Sequence, residues 1–108
     1  MPVYLTRFAH TPETWARLIE NPEDRRGPIG AVVEAAGGKL LGLWYAFGEH
    51  DGYVLLELPD NVQAASVLTR TAASGAFGGF ETTVLLTVEE MLDALEKAKG
   101  VSYRPPGR

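Results

Sequence analysis

KLLGLWYAFGEHDGYVLLELPD, residues 39–60, is the stretch on which the fold turns. Two runs rich in leucine, aromatic and β-branched residues, 39–47 and 52–59, flank the polar connection Gly48-Glu49-His50-Asp51. That pattern reads as a β-hairpin. Neither run alternates cleanly with polar residues: Trp44 and Tyr45 are neighbours, as are Leu55 and Leu56. Successive strand residues point to opposite faces, so a sheet containing these strands needs cover on both.

Reading outward, VYLTRFA (3–9) has strand composition and ends at HTPETW. There Thr11 is a good N-cap and Pro12 occupies the first helical position, predicting a helix with Trp15, Leu18 and Ile19 on one face. ENPEDRRGPIG breaks it, and a second helical segment is expected over 29–36, carrying Ile29, Val32, Val33 and Ala36 inward and stopping at Gly37-Gly38. Beyond the hairpin, DNVQAASVLTRTAAS (60–74) reads as a helix capped by Asp60, GGFETTVLLTV (78–88) as a strand, and EEMLDALEKAKG (89–100) as an amphipathic helix. The order β-α-β-β-α-β plus a terminal helix predicts an α+β, ferredoxin-like split βαβ fold: a four-stranded antiparallel sheet with helices on one face. The other face stays apolar and open, which predicts a homodimer or larger homo-oligomer built by sheet-on-sheet packing.

With 108 residues, the chain is expected to form a single domain over 1–100 followed by the tail VSYRPPGR, 101–108. A formal charge of −4 and basic residues that are scattered, apart from Arg25 and Arg26, argue against nucleic acid as a partner. No apolar run is long enough to span a bilayer and no signal-peptide pattern opens the sequence, so no membrane association and a cytoplasmic location are expected. Without cysteine, disulfides, thiolate nucleophiles and cysteine-held metals are excluded. Chemistry would have to come from carboxylates, His, Tyr or a cofactor, and no particular cofactor is expected.

GGKLLGLWYAFGEHDGYVLLELPDNVQAA resembles the GYD domain family of small bacterial proteins in the dimeric α/β barrel superfamily. Gly37, Gly38 and Lys39 match its Gly-Gly-Lys entry to the second strand, Gly48 and Asp51 its hairpin, and Glu57, Pro59 and Asp60 its strand-to-helix junction. His50 stands where the family usually has Tyr, and Gly27-Pro28 interrupts what is a continuous helix in relatives. The resemblance implies a dimeric α/β barrel. For activity it implies a range, from cofactor-free monooxygenases, isomerases and cyclases to haem-dependent enzymes and stress-response proteins.

The titratable residues of the hairpin have ordinary readings first. Asp51 is expected to accept hydrogen bonds from the amides of its own turn. His50, at a solvated tip, becomes a proton-transfer candidate only if the tip folds over a pocket. No His/carboxylate spacing suggests a metal. Alternation places Tyr53, Leu55 and Glu57 on one face of the third strand and Val54, Leu56 and Leu58 on the other, facing the helices. Glu57, beside aromatic walls on the open face, is the candidate general base for an enolisable or phenolic substrate; its ordinary alternative is an interface ion pair or a helix-capping role. A pocket would lie between the open face and the segment near His10, with Tyr4, Thr6, His10, Trp44 and Tyr53 as its binding side chains; the ordinary reading of His10 is a surface or capping residue. GAFGGFE (75–81) neither follows a strand nor opens a helix, so its glycines do not indicate a nucleotide loop. Two functions are therefore expected to compete: a dimeric ligand-binding or assembly module for a small hydrophobic or aromatic ligand, and a cofactor-independent enzyme using Glu57 or His50 on an aromatic or polyketide-like substrate.

Overall fold

The computed structural model describes residues 1–107 and has the element order β1 (Val3–His10), α1 (Pro12–Glu20), α2 (Arg26–Ala35), β2 (Lys39–Tyr45), β3 (Gly52–Glu57), α3 (Asn61–Ala72), β4 (Phe77–Leu85) and α4 (Val88–Ala98). The sheet is antiparallel with strand order β2-β3-β1-β4, the split βαβ arrangement. β1 and β3, the central strands, pair Tyr4 with Leu56, Thr6 with Val54 and Phe8 with Gly52 on the helix side. Arg7 opposite Tyr53, and Leu5 opposite Leu55, fall on the other side.

The core is this helix-side layer. Tyr4, Phe8, Val54, Leu56 and Leu58 are buried against Val33 of α2 and Ala64 and Val67 of α3. Phe8 needs the glycine opposite it: a Cβ on Gly52 would come within 2.3 Å of the Phe8 ring. Gly38 has a similar role at the entry to β2, where a Cβ would meet the Glu57 carbonyl oxygen at 2.1 Å.

Helix boundaries follow their caps. Thr11 accepts the Thr14 amide, Asp60 accepts the Gln63 amide at 2.8 Å, and Thr87 forms a reciprocal capping box with Glu90. Two expectations change. α2 starts at Arg26 rather than Ile29, because Pro28 falls in the first turn, where a missing N–H costs no helical hydrogen bond. α1 buries no side chain, and Ile19, predicted to face inward with Trp15 and Leu18, is 79% exposed.

α4 is the outlying element. Every residue from Val88 to Ala98 is exposed, including the stripe Val88, Met91, Leu92 and Leu95 at helical spacing. The molecule measures 60 × 34 × 22 Å with a radius of gyration of 17.6 Å, against about 13 Å for a compact chain of this length. Among the described residues no helix is long and apolar enough to cross a membrane.

Candidate functional site: a cavity between helices and sheet

α2 lies over β2 and α3 over β4, and the trough between them, above β1 and β3, is not filled by side chains. A cavity of about 370 Å³ remains, a volume at the small end of ligand pockets. Thr6, Phe8, Val54 and Leu56 form its floor, Ile29, Val32 and Val33 one wall, Val67 and Leu68 the other, and Phe77 and Phe80 line the β4 side. The polar lining residues gather at one end. β1 finishes there at His10, α2 begins there next to Arg25, and α3 finishes there with Arg70, Thr71 and Ser74 close by.

His10 is the most unusual group in the cavity. Its ring stacks on Phe77 with centroids 5.2 Å apart, meets Phe8 edge-on at 5.1 Å and meets Trp15 edge-on at 4.8 Å. Both ring nitrogens are buried and neither meets hydrogen-bond geometry with a partner among the described residues; the Ala76 carbonyl approaches the ring without completing a bond. Burial lowers the imidazole pKa from its ordinary 6.5, outweighing the Ala76 carbonyl and the Asp51 carboxylate, which raise it; the charge of Arg25 adds to the lowering. At neutral pH the ring is therefore uncharged and carries one donor and one acceptor.

The backbone of His10 is held from the hairpin. Its amide donates to Asp51 Oδ2 at 2.8 Å, and Trp15 Nε1 donates to the same oxygen at 3.4 Å. The Asp51 amide in turn donates to the Phe8 carbonyl. Asp51 thus ties the β2-β3 connection to the end of β1 and to α1, instead of capping its own turn as expected. The hairpin connection folds back on the end of β1, which brings this short carboxylate closer to a neighbouring strand than to the amides of its own loop.

The expected pocket combined side chains from two different faces of the sheet. Thr6 and His10 line the cavity, whereas Trp44, Tyr53 and Glu57 lie on the opposite, open face. Antiparallel register separates them: Thr6 is opposite Val54, so it cannot share a face with Tyr53 or Glu57. Tyr4 is on the helix side but fully buried, its hydroxyl donating to Asn61 Oδ1 at 2.7 Å, and burial together with the nearby Asp60 charge raises its pKa. Glu57 pairs across the sheet with Val3 and Lys39. His50 folds onto the open face, 6.2 Å from the Tyr53 ring centroid and 3.7 Å from Glu81 Oε2, and Glu81 also pairs with Arg7 at 3.1 Å. The lining residues Arg25, Arg70 and Phe77 were not singled out from sequence. For Arg70 a signal existed: Val67, Arg70, Thr71 and Ser74 follow the i, i+3, i+4, i+7 rule.

A split-βαβ sheet with a ligand-sized cavity under its helices defines a small α+β domain, and comparison with known proteins refines this. The sequence model of the GYD domain matches residues 4–95, and the chain belongs to that family. Among solved structures, TTHA0845 from Thermus thermophilus is similar with a TM-score of 0.53 and 15% identity, over 82% of this chain and 96% of that one. The structure of FFRP-DM1 is similar with a TM-score of 0.51 and 13% identity, over 80% of this chain and 100% of that one. At such identities the likeness concerns the fold. No curated protein matches the chain.

Proposed function

We propose that this GYD domain protein is a self-associating ligand-binding module that holds a small hydrophobic or aromatic molecule between its helices and its sheet. The observation that carries this reading is the cavity of about 370 Å³, walled mainly by apolar side chains yet containing the unpartnered imidazole of His10. An empty apolar space of that size costs stability through lost packing. A binding protein keeps such a space because the ligand restores those contacts. The open face has a different role: Trp44, Leu55 and Tyr53, with the Arg7-Glu81-His50 group beside them, form the surface for a second copy.

Catalysis without a cofactor is a second reading, favoured by one feature. A neutral His10 among aromatic rings is placed to accept a proton from an enolisable or phenolic molecule in the cavity, a role that Glu57 and His50 cannot fill from the other face.

Calorimetric titration with a neutral apolar probe, 2-naphthol, tests the binding reading. One saturable site per chain is expected. Val32→Trp, which fills the cavity, should abolish it while the circular dichroism spectrum is retained. Absence of saturable binding to the wild-type chain, or unchanged binding in Val32→Trp, would sink the proposal.

A further inference from the structure

The topology that brings His10, Arg25 and Arg70 to one end gives the cavity a polarity. Away from this end the lining includes the buried Val33 and Leu56, while the end at the start of α2 and the finish of α3 carries two guanidinium groups. This occurs in a chain with a formal charge of −4, so the cationic rim runs against the overall balance. Arg25 forms an ion pair with Glu23. Arg70 is exposed and has no ion pair or side-chain hydrogen bond among the described residues. Its place in the last turn of α3 suits the helix dipole, which accounts for one cation. Arg25 has the opposite setting: it stands at the N-cap of α2 without a side-chain capping bond, where the dipole disfavours positive charge. Dipoles therefore do not explain the pair.

We infer that the cavity takes a small amphipathic carboxylic acid, its hydrocarbon or aromatic body among Ile29, Val32, Val67 and Phe80 and its carboxylate at the rim with Arg70 and, secondarily, Arg25. This deepens the binding reading above and rests on it. A single free guanidinium matches a single carboxylate, which it can engage through two parallel N–H···O bonds. His10, Thr71 and Ser74 offer further polar contacts at the same end. A neutral hydrocarbon would leave this polar end unpaired. A dianion would bring more charge than one unpaired arginine offsets.

Titrations with 2-naphthoate and 2-naphthamide, which share shape but differ in charge, test the inference at pH 7 and low salt. Wild-type protein should bind the carboxylate on the order of tenfold more tightly than the amide, the scale of one partly exposed charge-assisted contact. Arg70→Gln, at an exposed position, should remove most of that preference by weakening carboxylate binding far more than amide binding; Arg25→Gln should reduce it less. If both probes bind the wild type equally, or Arg70→Gln keeps the full preference, the carboxylate assignment is wrong while the binding module stands. If neither probe binds, both readings fall together.

Discussion

Asp51 shows how one carboxylate can hold three elements in register. By accepting from the His10 amide and the Trp15 indole it joins the hairpin to β1 and α1. Asp51→Ala leaves a partly buried amide without its partner, so a loss of about 1–3 kcal/mol is expected in urea unfolding. Asp51→Asn, which keeps an acceptor oxygen, should lose less. If alanine changed stability by only a few tenths of a kcal/mol, the cross-link would be unimportant. His10 beside it has a lowered pKa, so its proton is bound more weakly in the folded chain than in the unfolded one. Its effect on stability is absent well above pH 6.5 and becomes a penalty as pH falls through that value toward the lower folded pKa. Wild-type stability should therefore decline more steeply than that of His10→Phe as pH falls below about 6.5. Parallel stability-pH curves for the two proteins would rule out a buried neutral imidazole. The hydrogen-bond role of Asp51 was not legible in the sequence because its partners lie 41 and 36 residues away, and local turn rules see only neighbours.

At the level of elements, the sequence carried most of the fold. The adjacent Leu55 and Leu56 fall on opposite faces of the sheet, Leu56 under the helices, and the caps Thr11 and Asp60 placed two helix starts where the backbone has them. Alternation also sorted β3 correctly: Val54 and Leu56 face the helices, Tyr53 and Glu57 the open side. What failed was combining strands, since the face of Thr6 relative to Glu57 depends on the register between β1 and β3, which no single-strand pattern contains. The Gly37-Gly38-Lys39 run was readable as a helix stop. Its second function, close packing, emerges only with the strands assembled. Because the obstacle to a side chain at Gly38 is the Glu57 carbonyl oxygen, part of the sheet backbone, it cannot rotate away. Gly38→Ala should cost about 1–3 kcal/mol or prevent folding. Gly79→Ala, where a Cβ meets nothing within 4 Å, is the matched control and should be near neutral by thermal melting. Equal melting temperatures for the two variants would contradict the packing at the β2 entry.

On the scale of the whole molecule, two apolar surfaces are left uncovered by the described residues. One is the open sheet face, where Trp44 is 54% exposed beside Leu55 and Tyr53; the other is the stripe on α4. An 11-residue helix without tertiary support is marginal in water, so the capping box at Thr87 and Glu90 alone does not account for α4. A second copy would cover the sheet face and give α4 a surface to pack on, bringing the elongated 60 Å chain into a compact assembly. Light scattering at micromolar concentration is expected to give at least twice the chain mass of 11.7 kDa. Leu55→Asp places a charge in the middle of the proposed contact and should yield monomers, since an unpaired charge buried there is costly. Because the cavity proposed to take the ligand lies on the other side of the sheet, this variant should still bind 2-naphthoate if the monomer stays folded. A monomeric wild-type mass would remove the assembly reading, whereas loss of naphthoate binding in a folded Leu55→Asp monomer would show that cavity and interface are coupled through the shared strands β1 and β3.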